Sequence, residues 1–165
     1  MKTHFKAPWG TGLKWSSALV TVFALWLTIS GFHVDAYRFR DESWAPILWQ
    51  FFPLLILVTS LPFVVRGFTI ENGSLLVHRL FWKNEFPLDL LQGAEVIPDA
   101  MRRSIRSCGN GGLYSFTGRY WSKSLGHYRA FTNDWKRPVV LRWPHKTIVL
   151  SCDDPEAFVS AVTPP

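Results

Sequence analysis

Residues 15–32 read WSSALVTVFALWLTISGF and residues 43–65 read SWAPILWQFFPLLILVTSLPFVV, and neither run contains Asp, Glu, Lys or Arg. At about 1.5 Å of rise per residue, either run as a helix covers roughly the 30 Å hydrocarbon core of a bilayer. Between them His33 to Trp44 is short and polar, with Asp35, Arg38, Arg40, Asp41 and Glu42. The pattern predicts a two-helix transmembrane hairpin, spans at 15–32 and 45–65, followed by a soluble domain over 66–165. Buried core helices would need a polar stripe, which neither run shows on inspection. A signal peptide cut near Val34-Asp35-Ala36 would have a shorter apolar stretch and no second span behind it.

Orientation follows from the basic residues near the ends of the runs. Lys2, Lys6 and Lys14 precede the first run and Arg66 directly follows the second. Residues 1–14 therefore read as a basic cytoplasmic tail, and both termini are expected on the cytoplasmic side. Trp15 and Trp44 then fall at opposite headgroup regions, where an amphipathic ring is stable. Pro53 and Pro62 remove hydrogen bonds from the carbonyls of Trp49 and Val58, which suits a bent anchor.

The 48% hydrophobic composition averages a greasy N-terminal part with a polar remainder, so the whole-chain figure does not decide the class. Cys108 and Cys152 lie in the part assigned to the cytoplasm and are expected as reduced thiols. Neither a CxxC nor a Cys/His ligand spacing exists, so neither a structural metal nor any other cofactor is expected.

After Arg66 the pattern changes to short β-prone stretches separated by turn residues. Gly67 to Ile70 and Ser74 to Leu80 flank Glu71-Asn72-Gly73, a strong hairpin signal. Pro138 to Trp143 and Thr147 to Ser151 form a second hairpin around Pro144-His145-Lys146, with Val139, Leu141 and Trp143 on one face. Gly93 to Ile97 and Tyr128 to Thr132 read as further strands. A last helix is predicted from about Asp154 to Val162, with an Asp cap, Pro155 in its first turn and Phe158 facing a sheet. The fold class is therefore α+β, a membrane hairpin followed by a strand-rich domain closed by one helix. The stretch 98–127 fits no simple meander and reads as an insertion rich in Arg, Gly and aromatic residues.

The order of two spans, then Gly-Gly-Leu-Tyr-Ser-Phe-Thr-Gly-Arg-Tyr-Trp (111–121), Tyr-Arg-Ala-Phe-Thr-Asn-Asp (128–134), Val-Val-Leu-Arg (139–142) and Thr-Ile-Val-Leu-Ser-Cys-Asp-Asp-Pro-Glu-Ala-Phe (147–158) resembles the bacterial PH-domain (pleckstrin-homology-like) membrane proteins. The resemblance covers Arg66 to Val162 and implies a PH-like β-barrel of about seven strands, capped by the C-terminal helix. With it goes a location in the bacterial inner membrane. It implies a binding or scaffolding module and no particular ligand, since such a fold hosts many roles. PH domains that hold inositide headgroups carry a basic cluster on the first hairpin, whereas Gly67 to Leu80 offers only His78 and Arg79.

Charge is concentrated in the middle of the soluble part. From Ala100 to Lys146 ten basic residues face a single acid, Asp134, while the flanks are net acidic. Arg102, Arg103, Arg106, Arg119 and Lys123 are the candidate contacts to an anion or lipid headgroup, because each basic residue near an anionic leaflet contributes on the order of 1 kcal/mol. Membrane lipid, its anionic headgroups, or a membrane-protein partner are the expected partners, and nucleic acid is not expected. Gly109-Asn110-Gly111-Gly112 matches neither a P-loop nor G-x-G-x-x-G, and its glycines read as positive-φ turn residues. A membrane-tethered enzyme could be assembled on paper from Cys108 or Ser115 with His127, and Asp134 behind Cys108. No motif surrounds these residues, and catalysis is not expected.

Overall fold

The computed structural model describes residues 2–35 and 45–163. Most of the polar connection His33 to Trp44 therefore lies outside the described residues. The first apolar run becomes helix α1 (Thr11–Asp35), which starts four residues before Trp15. The second becomes α2 (Ala45–Ser60), which runs through Pro53 and passes into a 3-10 turn at Leu61–Phe63. Within α1, Thr11–Gly31 is 21 residues long with a mean hydropathy of 1.4, long and apolar enough to cross a membrane. The apolar part of α2, Leu48–Phe63, is shorter.

The two helices pack side by side. Ser17, Ala24 and Thr28 are buried, and the Gln50 side chain of α2 donates to the Thr28 carbonyl at 2.9 Å. A Cβ on Gly31 would meet Gln50 at 2.9 Å, so the small residue is what lets the glutamine in. The expectation of no polar stripe is thus corrected. Ser17, Thr21, Ala24, Thr28 and Gly31 line one face at near-helical spacing. Thr21 and Thr28 donate back to the carbonyls of Ser17 (2.7 Å) and Ala24 (2.9 Å), hiding their hydroxyls within an otherwise apolar helix.

The remaining chain forms two sheets. One has the order β1-β2-β3-β4, comprising β1 (Thr3–Lys6), β2 (Gly67–Glu71), β3 (Ser74–His78) and β4 (Lys83–Pro87). Asn72 and Gly73 both take positive φ, 51° and 72°, which a two-residue hairpin turn needs. The other sheet contains β5 (Gly93–Val96), β6 (Ile105–Gly111), β7 (Phe116–Ser122), β8 (Gly126–Thr132), β9 (Val139–Trp143) and β10 (Lys146–Leu150), in the order β5-β9-β10-β8-β7-β6. Its β8–β10 pair is parallel and its other pairs are antiparallel.

Three expectations change here. The strands make two packed sheets and not a closed barrel, since β4 and β5, adjacent in sequence, belong to different sheets. The supposed N-terminal tail contributes β1, which pairs with β2 from Thr3 opposite Ile70 to Lys6 opposite Gly67. The insertion at 98–127 is built into the second sheet as β6 and β7, with Gly109 and Gly111 inside a strand. Gly109 and Gly118 face each other at φ of 117° and 143°, and a Cβ on either would run into the carbonyl of Thr117 or Cys108. The tight turn sits one step later, at Gly112 to Ser115.

The middle of the second sheet, β9 with the ends of β10 and β8, is buried on both faces, in keeping with its continuous apolar runs, whereas β6 at the edge is exposed. Val139, Leu141, Ile148, Leu150 and Phe131 face the first sheet, with Phe5, Phe68 and Phe86 across from them. Val140, Val149, Ala130 and Tyr128 face the other way, against Met101, Phe116 and Leu13 of α1. Helix α3 (Pro155–Val162) closes the first core. Asp154 caps it by accepting from the Ala157 N–H at 3.0 Å, and Phe158 is fully buried, with the Phe5 ring 5.0 Å away.

Candidate functional site

The apolar helices and the sheets meet at one junction, held by polar side chains. The Asn133 side chain donates to the carbonyls of Ala7 (3.0 Å) and Val65 (2.8 Å), the residues just before α1 and just after the turn that follows α2. The backbone carbonyl of Asn133 accepts from the Gly10 N–H at 2.9 Å. The β6–β7 turn docks on α1. The Tyr114 N–H donates to Ser17 Oγ at 2.9 Å, its hydroxyl lies 2.9 Å from Thr21 Oγ1, and Ser16 donates to the Gly112 carbonyl at 3.0 Å. The Ser115 hydroxyl donates to the Phe63 carbonyl at 3.0 Å, tying the same turn to the end of the helical segment.

Arg106 reaches from β6 toward this junction. It helps to line a cleft of about 540 Å³ whose walls are Val20 of α1, Ile56 and Thr59 of α2, Phe63 and the backbone of Gly109–Gly112. Its lining combines apolar side chains with a guanidinium, hydroxyls and glycines. Arg119 is elsewhere. On β7 it stands directly opposite Arg129 of β8, in a second cleft of about 490 Å³ with His127 and Lys146. Arg102 and Arg103 are exposed in the turn before β6, and Lys123 is exposed in the β7–β8 turn. The five candidate contacts are therefore spread over one sheet and do not converge on one point.

Burial tunes several groups near these clefts. Arg79 is buried, and desolvation, with Arg129 adding repulsion, lowers its pKa to about 10. It donates to Asn84 Oδ1 at 2.9 Å. Burial also pushes the Tyr120 phenol up to about 12, against the opposing pull of Arg106. The Cys152 thiol is pushed up to about 12 by burial and by Asp153 and Asp154, which leaves it an inert thiol at neutral pH.

The residues considered for catalysis are not brought together. Ser115 is buried and its hydroxyl is already donated to Phe63. Phe116 pairs with Thr132 whereas Trp121 pairs with His127, so Ser115 and His127 sit more than five rungs apart, roughly 17 Å or more. Cys108 is exposed on β6, with β7 lying between it and the His127 strand. Asp134 follows the far end of β8 and accepts from the Lys136 N–H. Among the described residues no group of His, Cys, Asp and Glu could hold a metal ion.

The sequence gives no role to Asn133 or the α1 hydroxyls, and it marks Arg79 as basic without showing that it is buried. The Ser16-Ser17-Thr21-Thr28 spacing was the available signal for the hydroxyls. Asn133 gave none, because its role depends on two carbonyls far away in the chain.

No curated protein and no solved structure matches the chain. A family model described as the bacterial PH domain matches residues 66–164. That match covers more than half of the sequence and all of the strands after β1, and the chain belongs to the bacterial PH-domain family.

Proposed function

We propose that this protein is a membrane-anchored PH-like binding or scaffolding module, without catalysis, whose two N-terminal helices cross the inner membrane as a hairpin. The observation that carries this reading is the joint between β1 and β2. The strand before α1 is hydrogen-bonded to the strand after α2, and Asn133 holds both connections. A chain that leaves and returns to one domain crosses a bilayer an even number of times. Helix α2, with 16 residues, is about 24 Å long, and the 3-10 turn adds about 6 Å, together about the thickness of a hydrocarbon core. Both helices leave large apolar side chains uncovered, among them Leu19, Phe23 and Trp26 on α1 and Leu48, Trp49 and Leu55 on α2. A contiguous apolar area of this kind calls for lipid or a partner as cover.

The basic residues before α1 and after α2 favour the cytoplasmic side for the domain. Arg102, Arg103, Arg106, Arg119 and Lys123 then offer contacts to anionic headgroups or to an acidic membrane-protein partner. Reporter fusions at each terminus and within residues 36–44 test the topology, and a periplasmic C-terminus would overturn it. For lipid contact, the full chain is reconstituted in mixed phosphatidylglycerol and phosphatidylcholine. Enrichment of phosphatidylglycerol around the protein is expected to fall when the five basic residues become Gln. Unchanged enrichment would mean that the charge is merely solvated.

A further inference from the structure

At the mouth of the two sheets, cations and aromatic rings alternate. The Arg79 guanidinium lies 5.6 Å from the Trp82 ring centroid and 5.1 Å from that of Phe131. Arg129 follows, 5.0 Å from Phe131 and 6.0 Å from Phe86. Lys146 continues the series, 5.2 Å from Phe86 and 4.7 Å from Trp143. Arg119 then stands directly across the ladder from Arg129. Like charges placed directly opposite on a sheet are destabilising, and here they are arranged in a row.

Acidic groups do not relieve that row. The ion pairs among the described residues are Lys2–Glu71, Arg137–Glu156 and Arg142–Glu95, and none involves these four cations. No carboxylate lines the cleft of about 490 Å³ that Arg119, Arg129 and Lys146 share with His127, His145 and Ser107. The rings hold the cations in place, since each cation–π contact contributes on the order of 0.5–1 kcal/mol at an exposed site. They supply no countercharge. A cleft with two guanidinium forks, an ammonium and no acid is complementary to a group of several anionic oxygens, which Arg holds bidentately.

We propose that this cleft is a phosphoryl-binding site, which takes the phosphate of an organic phosphate on Arg129, Arg119 and Lys146. The volume exceeds that of a bare phosphate and leaves room for an organic body beside Phe86. The phosphate belongs either to a lipid headgroup or to a soluble phosphate ester. The site shares Arg119 with the surface contact proposed above and rests besides on Arg129 and Lys146, which that contact does not use.

The test uses the full chain in phosphatidylcholine nanodiscs, titrated with glycerol 3-phosphate, with glycerol as the blank. A second arm places phosphatidic acid in the disc. Saturable binding and a raised melting temperature are expected in at least one arm. A response to glycerol 3-phosphate identifies the soluble source, and a response confined to phosphatidic acid identifies the headgroup. Arg129→Gln should weaken the response by about tenfold or more, Lys146→Gln should also weaken it, and the remote Lys136→Gln should change it less than about twofold. Without phosphate, Arg129→Gln should still melt cooperatively and close to the parent temperature, because relief of the charge facing Arg119 and Arg79 offsets the two lost ring contacts. That separates loss of binding from loss of fold. No saturable response in either arm up to about 10 mM ligand would overturn the proposal. So would a response indifferent to Arg129→Gln and Lys146→Gln, or a polyglutamate peptide that saturates the cleft where both phosphates fail.

Discussion

Replacing Asn133 is the most direct test of how the helices are fastened to the sheets. The residue is fully buried, and its carboxamide N–H groups are shared between the carbonyls of Ala7 and Val65 at 3.0 and 2.8 Å. Both of those residues are buried as well. Asn133→Ala strips two buried acceptors of their donor, at about 1–3 kcal/mol each. It also removes Asn133 Oδ1, which is buried without a partner among the described residues and already carries a comparable cost. The net loss is therefore about 1–3 kcal/mol. Asn133→Asp keeps the shape but turns carboxylate oxygens toward both carbonyls, so it should destabilise more than Ala. The assay is urea unfolding of the full chain in micelles, together with hydrogen exchange at Gly10 and across β1. Exchange there should accelerate in both variants, because the side-chain bonds to Ala7 and Val65 hold the backbone of residue 133, whose carbonyl accepts from Gly10. If Ala costs less than about 0.5 kcal/mol, or if Asp is milder than Ala, the side chain is not what joins the two connections.

Phe158→Ala should cost roughly 3–5 kcal/mol in the same unfolding assay, since the ring is fully buried against Phe5 and Phe68; a loss below about 1 kcal/mol would show that α3 does not close the core. Gly118→Ala should cost well above about 1 kcal/mol, because φ of 143° and the Cys108 carbonyl both exclude a Cβ; unchanged exchange in β6 and β7 would refute the close approach. His78 is held below the ordinary imidazole value of 6.5, first by burial and then by Lys83, His4 and Lys2. Its folded pKa is depressed, so the unfolded chain binds the proton more readily, and stability that is complete above about pH 6.5 falls as pH drops toward the lowered value. Exchange across β1 to β3 should therefore quicken on mild acidification, and His78→Gln should flatten that dependence; an unaltered pH profile in the variant would reject the role of this imidazole.

How far each feature could be read in advance depends on the range of the interaction that makes it. Apolar runs, the Asn72-Gly73 turn, the alternation of Val139, Leu141 and Trp143, and the Asp154 cap all act through neighbours within a few residues. The chain by itself therefore determined two apolar helices, the hairpins β2–β3 and β9–β10, the closing helix and the family resemblance. Strand β1 was not legible because Thr-His-Phe-Lys is too short and mixed to mark a strand, and only the open edge of β2 makes it one. Strands β6 and β7 escaped notice for a similar reason. Their glycines break the local β signal, while the pairing of Gly109 with Gly118 requires two backbones closer than any side chain allows. The distribution of basic residues along the chain was plain, but not their grouping. Tertiary structure alone sent Arg106 to the helix junction, set Arg119 against Arg129, and interleaved Arg79, Arg129 and Lys146 with aromatic rings. Charge is a property of residues, whereas a site depends on distances between residues remote in sequence, and those exist only once the two sheets have packed.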